Sequence, residues 1–153
     1  MKTFADPRDR AEILARLGTV TSERAPRWGR MSAHQMICHA ADALRMAMGE
    51  KTTTPDTTLF KRTLLKWVAL YAPVPWPRGI DTSPELDQLG GGGTHPDAFA
   101  DDVAHLVVQM QRVVEPARRL EDQPHPYFGR MSRADWLRWG YLHLDHHLRQ
   151  FGA

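Results

Sequence analysis

The chain has little cysteine and no long apolar run, and both shortages limit what it can be. Its single cysteine, Cys38, excludes an internal disulfide and agrees with a reducing cytoplasm. No stretch approaches the roughly 20 apolar residues of a membrane span, and no charged-then-apolar leader follows Met1. We therefore expect a cytoplasmic protein with neither a membrane partner nor a secretory signal.

A strong charge of one sign is also missing. Lys and Arg total 20 against 18 Asp and Glu, which gives a net charge of +2. The basic residues alternate with acidic ones along the predicted helices and do not form a stripe with interleaved aromatic residues. The densest basic group lies around the last predicted helix and is typical of a solvated face, so we expect no nucleic-acid partner. Its members are Arg130, Arg133, Arg138 and Arg149.

No stretch alternates polar and apolar residues for long enough to form a strand. At 153 residues and 42% hydrophobic, the chain suits one domain, residues 1–153, with a single core. Proline, glycine and helix-capping residues divide it into five helical segments. The first is expected over 7–17, the second from Ser32 to Gly49, the third over 58–71 with an apolar stripe (Phe60, Leu64, Trp67, Val68, Tyr71), the fourth over 96–120 with a break near Pro116, and the fifth after Ser132.

Two histidines near the C-terminus, His143 and His147, are spaced i, i+4 on the fifth predicted helix. At about 100° per residue, both fall near the centre of its apolar face, whereas His146 lies at the flank. Two imidazoles one turn apart and facing inward can chelate a transition metal from a single helix. Two buried imidazoles also need two partners, and one cation provides for both. The pair therefore predicts a metal site.

The other histidines differ in how well they could supply a third ligand. His39 lies at the edge of the apolar stripe of the second helix, whereas His34 points to the opposite side. His105 lies nearly opposite its helix's stripe, and His95 and His125 lie beside prolines in loops. Helix geometry favours His39, with His125 as the weaker alternative.

No general base can be identified from the sequence. Asp42 and Asp145 project toward the polar sides of their helices, where either could accept from an imidazole N–H or be a solvated carboxylate. Cys38 also falls on a polar side and is interpreted as structural. Gln150, on the inward face, is a better candidate to contact an imidazole or a substrate. The catalytic residues are therefore left unassigned.

Residues 72–95 form a long loop, which in a compact domain is usually functional or disordered. Its first half is stiffened by proline and carries Trp76, and its second half contains the run from Gly90 to Gly93, which suggests a flexible tether. We expect this loop to lie near the metal site and to act as a lid that excludes water. A surface excursion without function is the alternative.

His39, followed by His143, His146, His147 and Gln150 in the pattern His-x-x-His-His-x-x-Gln, resembles the DinB/YfiT-like superfamily of metalloenzymes. The likeness covers most of the chain. Segments 28–32, 125–132 and 143–152 look most like the branch called domain of unknown function 1569 (DUF1569). The resemblance implies an all-α fold, a four-helix bundle with a short additional helical segment and a long loop. It also implies a three-histidine metal site at His39, His143 and His147, with His146 not a ligand.

Three neutral imidazoles leave a cation its full charge and at least one open position, as in catalytic sites. Zinc is the default for such ligands, and nickel, iron and manganese also fit. Hydroxide at the cation would give a metal-dependent hydrolase, whereas a low-molecular-weight thiol would give a thiol-dependent S-transferase or isomerase, as the resemblance implies. A non-catalytic bundle that acts as a binding module is the alternative from another class. A small-molecule substrate is expected, and a homodimer is the expected assembly because apolar surfaces on such bundles often pair.

Overall fold

A computed structural model describes residues 1–153 as five α-helices joined by loops. The helices are α1 (Pro7–Leu17), α2 (Ala33–Ala47), α3 (Lys66–Tyr71), α4 (Phe99–Arg112) and α5 (Arg133–Gln150). The only β-type pairing is an isolated bridge between His125 and Gly129, so the all-α prediction is confirmed. None of the helices combines the length and the apolar character needed to cross a membrane.

Helix α2, which carries His39, and helix α5, which carries His143 and His147, both begin with a capping box. The Ser32 hydroxyl accepts from the Gln35 backbone N–H at 3.1 Å, and the Gln35 side chain accepts from the Ser32 N–H at 2.9 Å. Ser132 and Asp135 repeat this capping box at the start of α5, at 3.1 and 3.0 Å. Both predicted starts are confirmed, and they fix where each histidine lies along its helix.

Helix α2 is at the centre of the fold, between α4 on one side and α5 on another, while α1 and α3 pack on α5. Of its 15 residues, 12 are buried. A helix enclosed on most sides has no exposed polar face. Two expectations from the sequence were therefore wrong. Cys38 and Asp42, both expected on a polar side, are buried.

The third helical segment differs from a regular helix because it contains a π-helical turn, Lys61–Leu65, directly before α3. A π turn changes the angular spacing of side chains, so the apolar stripe seen in the sequence does not form one buried face. Phe60, Leu64 and Trp67 are each more than half exposed, whereas Leu70 is fully buried. The sequence pattern alone did not reveal this division.

Helix α4 is shorter than predicted: it begins at Phe99 and ends at Arg112, where residues 96–120 were expected to be helical. Pro116 explains the end, because a helical proline lacks an N–H and its ring clashes with the carbonyl four residues earlier, here that of Arg112. The chain turns instead and forms a short 3-10 segment, Leu120–Asp122.

The second half of the long loop, which the glycine run suggested as a flexible tether, packs against the turn that precedes it. The Gly92 N–H donates to the Asp87 carbonyl at 3.0 Å, and a Cβ at Gly92 would collide with the carbonyl of Pro84. Pro84 opens a second 3-10 turn, Pro84–Leu86. The glycines therefore allow a close approach of backbone to this turn.

Asp42 ties the end of the loop to α2. Its carboxylate, 1% exposed, accepts from the Thr94 N–H at 2.7 Å and from the Thr94 hydroxyl at 2.8 Å. Arg45 and Lys51 each lie 3.1 Å from it and balance its charge. Asp42 is thus fully partnered and serves the fold.

Replacing Asp42 with alanine should lower the free energy of unfolding by about 3 kcal/mol. The change leaves the Thr94 donors and the charged side chains of Arg45 and Lys51 without their partner. Chemical denaturation monitored by circular dichroism measures this loss. Glu121→Ala, which removes an exposed carboxylate, is the matched control and should change stability by less than about 0.5 kcal/mol. Equal stability of the two variants would contradict the role given to Asp42.

Candidate metal centre

Three buried imidazoles meet where α2 packs against α5. His39 comes from α2, and His143 and His147 come from α5. Their ring centroids lie 4.7–5.1 Å apart, and one nitrogen from each lies within 4.8 Å of the others. The structure therefore brings together the three histidines predicted as ligands, and His146 remains outside the group.

Hydrogen bonds fix the orientation of two of these rings. The Nδ1 of His39 lies 2.9 Å from the carbonyl oxygen of Leu86, in the 3-10 turn of the loop. The Nδ1 of His147 lies 2.9 Å from Oε1 of Gln150. A carbonyl oxygen can only accept, so each Nδ1 carries the proton and each Nε2 presents a lone pair. Carbonyl partners of this kind hold metal-binding imidazoles in one tautomer and one orientation.

Gln150 is itself held in place. Its Nε2 donates to the Trp28 carbonyl at 2.8 Å, so its Oε1 must face His147. The next residue, Gly29, has a φ of 77° and lies so close that a Cβ there would approach the Gln150 amide to 2.7 Å. The glycine therefore leaves the room that the amide needs. The prediction that Gln150 contacts an imidazole is confirmed.

The position of the third ring, His143, indicates whether a cation could bind between the three imidazoles. Its Nε2 lies 3.3 Å from Nε2 of His39, whose lone pair faces it. Without a cation, His143 must place its proton on Nε2 to avoid opposing lone pairs, whereas a cation would let all three Nε2 atoms present lone pairs to one point. The buried Nδ1 of His143 has no partner in either case. Burial lowers the pKa of all three histidines, so they remain neutral ligands. Converging neutral nitrogens in this setting fit a divalent cation.

A cavity of about 830 Å³ adjoins the three imidazoles. Its walls include side chains from α3 and from the long loop as well as from α2 and α5. Trp76 of the loop lies 6.3 Å from the His143 ring and 6.0 Å from the His146 ring, and its Nε1 donates to the Ala69 carbonyl at 2.7 Å. The expected place of the loop beside the site is confirmed, and its movement as a lid stays a prediction.

Several contacts at this site were missed by the sequence analysis. Trp139 stacks on His143 with centroids 4.7 Å apart, and its i, i+4 spacing was a usable signal. The Leu86 carbonyl has no such signal, because any residue supplies a carbonyl. His125, the weaker candidate ligand, lines the cavity but does not belong to the three-histidine group.

Asp145 was expected on a polar face but is buried between α5 and α1. Its carboxylate pairs with Arg16 at 2.7 Å and with Arg149 at 2.5 Å. Asp42 is engaged in the same way, by Thr94 and by the side chains of Arg45 and Lys51. Neither carboxylate contacts the three imidazoles, so neither supplies a base to the site.

A second group of potential ligands, His34, Cys38 and Asp102, lies between α2 and α4. Asp102 is its centre: the His34 Nε2 lies 2.6 Å from its carboxylate, the Asp97 N–H donates to it at 3.1 Å, and the Cys38 thiol also bonds to it. Burial raises the pKa of the Cys38 thiol to about 12. The polar atoms of this group are hydrogen-bonded to one another without a metal. We therefore interpret the group as a hydrogen-bonded link between α2 and α4.

The fold and the site thus define an all-α protein with a buried three-histidine centre open to a cavity. Residues 3–153 match the family described as "Protein of unknown function (DUF1569)", and the chain belongs to that family. The likeness to this branch seen in the sequence is confirmed. No curated protein and no solved structure matches the chain.

Changing His39, His143 or His147 to alanine should each reduce bound zinc from about one equivalent to a small fraction, because two imidazoles alone hold a divalent ion weakly. Elemental analysis of the purified chain after dialysis against zinc measures the content. Full retention of zinc by the His147→Ala variant would contradict the ligand assignment.

His34→Ala and His146→Ala are the matched histidine controls and should retain the metal. Cys38→Ser should retain it too, since the second group needs no cation. Gln150→Leu should give an intermediate result, with zinc affinity about 10- to 100-fold lower, because the partner that orients His147 is lost.

The metal-free chain should lose stability as the pH falls from 7 to 5. Burial holds the pKa of His39, His143 and His147 below 6.5 and that of His125 at about 3, so below pH 6.5 the unfolded chain binds more protons than the folded one. Each such histidine adds a slope of up to about 1.4 kcal/mol per pH unit. Urea titrations at several pH values measure the total slope.

The slope for His147→Phe should be smaller than that of the wild type by about one proton, because one buried histidine no longer titrates. A free energy of unfolding that stays constant between pH 7 and 5 would contradict the burial of neutral histidines.

Proposed function

We propose that this protein is a metal-dependent enzyme in which His39, His143 and His147 bind one divalent cation and the adjoining cavity takes a small-molecule substrate. The observation that carries the proposal is the convergence of fixed imidazole nitrogens at the wall of a cavity of about 830 Å³. Cavities of this size accommodate whole small molecules. A purely structural ion would need no such space beside it.

The arrangement of the helices supports assignment to the DinB/YfiT-like superfamily as a four-helix bundle. Helix α2 contacts α4 and α5, and α1 contacts α5, so histidines from α2 and α5 can face each other inside the helical assembly. Sites of this kind are built from facing helices in bundle cores. Zinc is the cation we propose first, with nickel, iron or manganese as alternatives for the same nitrogen ligands.

A divalent cation at this position would supply a Lewis acid that lowers the pKa of a bound water or thiol. The chain's own residues then have positioning roles. Leu86 and Gln150 orient His39 and His147, and Trp139 supports the ring of His143. Trp76 and the loop that carries it cover one side of the cavity and exclude water from it.

Among the reactions open to such a site, we favour transfer or isomerisation that depends on a low-molecular-weight thiol. The two buried acids close in sequence to the histidines, Asp42 and Asp145, are both engaged in ion pairs. Of the two carboxylates that line the cavity, Asp81 is exposed to solvent and Asp87 accepts from the Leu89 N–H at 2.9 Å. A water-dependent hydrolase would ordinarily use such a carboxylate as a general base. A thiol acidified by a cation needs less help, because its pKa is already near 8.5.

The cobalt-substituted chain should develop sulfur-to-cobalt charge-transfer absorption in the near ultraviolet when 2-mercaptoethanol or glutathione is added. The absorption requires cobalt held by three imidazoles with one position open for the thiol. His147→Ala removes one of these imidazoles and should abolish the response. Ethylene glycol, the oxygen analogue of 2-mercaptoethanol, controls for effects that do not involve sulfur.

The titration is best made with the Cys38→Ser chain, since any absorption then comes from the added thiol. No thiol response, together with metal-dependent cleavage of an ester or amide, would replace this proposal with the hydrolase. Metal binding without any ligand response would favour a non-catalytic helical protein.

A further inference from the structure

The outer side of the helical segment 59–71 exposes a row of large apolar side chains. Leu59, Phe60, Leu64 and Trp67 are each 54–71% exposed, and together we call them the apolar ridge. Phe60, Leu64 and Trp67 follow one another at steps of four and three residues, so they project from one side of the segment. Single exposed apolar residues are ordinary, whereas a group of this kind marks an interaction surface.

The segment that carries the ridge has little packing of its own. Over residues 61–71, Leu70 is the only buried residue. The inner side borders the cavity, where Leu65, Val68 and Ala69 line the wall. This wall is one helix thick, with the cavity on one side and solvent on the other. Because short helices depend on tertiary packing for their stability, a partner that covers the ridge would stabilise the segment.

The area of the ridge suits an interface between identical subunits. More than half of a side chain of this size amounts to roughly 100 Å², so the four side chains expose about 400 Å² of mostly apolar surface. A stable interface buries about 800 Å² on each partner, and about 65% of that area is apolar in homodimers. The ridge therefore supplies most of the apolar area that a homodimer needs.

The charges near the ridge do not suit an anionic partner. Lys61 is already paired with Asp56 at 2.6 Å. Arg62 and Lys66 each follow a ridge residue by two positions, which turns them toward the other side of the segment, and Lys66 donates to the Arg130 carbonyl at 3.2 Å. An acidic membrane surface would require free cations beside the apolar side chains. An apolar surface without such cations is typical of contacts between identical subunits.

We infer that the apolar ridge pairs with the ridge of a second copy of this chain across a two-fold axis. Such a contact is isologous, because both copies contribute the same surface. The pairing covers the outer side of α3, whose inner side is a wall of the cavity, and so supports that wall. This inference goes beyond the proposed function and does not rest on it, so the metal-free chain should pair as well as the zinc-loaded one.

Sedimentation velocity over a range of protein concentrations tests the pairing. The wild type should sediment as a dimer at high concentration and dissociate on dilution. Trp67→Glu puts a charge into the ridge of each copy and should raise the dimer dissociation constant at least about 100-fold, as expected for a central interface tryptophan. Val108→Glu, at an apolar position of α4 that is 45% exposed, is the matched control and should change this constant by less than about twofold. Circular dichroism checks that both variants keep the fold.

Hydrogen exchange of the wild type locates the contact without any variant. The backbone amides of residues 61–71 should exchange more slowly at concentrations where the dimer dominates, whereas those of α4 should not change. A chain that sediments as a monomer at every concentration, or a dimer that Trp67→Glu leaves intact, would overturn the inference. A monomeric wild type that binds vesicles of phosphatidylcholine and phosphatidylglycerol in equal parts, with binding lost in Trp67→Glu, would overturn it in favour of a lipid surface.

Discussion

Three imidazoles buried side by side between α2 and α5 are the constraint on which the rest of the structure depends. Neutral histidines in that position need fixed protons, since opposing lone pairs repel and unpartnered N–H groups are costly. Leu86 and Gln150 meet this need for two rings, and Trp28 in turn holds Gln150. The centre therefore requires a loop, a helix end and a segment before α2 to be in place at the same time.

The long loop after α3 has a structural role as well as its place beside the site. The 3-10 turn at Pro84–Leu86 carries the carbonyl that orients His39, Trp76 lines the cavity, and Thr94 donates two hydrogen bonds to Asp42. Glycines within it permit the close contacts that hold the turn. The same loop therefore lines the cavity and holds the ring of His39 in its orientation.

The cavity combines apolar walls with few fixed polar atoms. Asp81, Asp87 and Arg30 line it near its mouth, while burial keeps the three imidazoles of the His39, His143 and His147 group uncharged beside it. In such a medium each hydrogen bond and each charge on a ligand counts for more than it does in water.

The sequence by itself determined the all-α class, the starts of α2 and α5 and the inward phase of His143 and His147. These are local properties, set by capping residues and by the 3.6-residue period of one helix. It could not show that Cys38, Asp42 and Asp145 are buried, or that Phe60 and Trp67 are exposed, because the period locates a face but not what covers it. The partner carbonyl of His39, the carbonyl that holds Gln150 and the shape of the cavity were decided only by the tertiary structure. Each depends on atoms that lie close in space while their residues are distant in the chain, or on backbone groups that every residue shares.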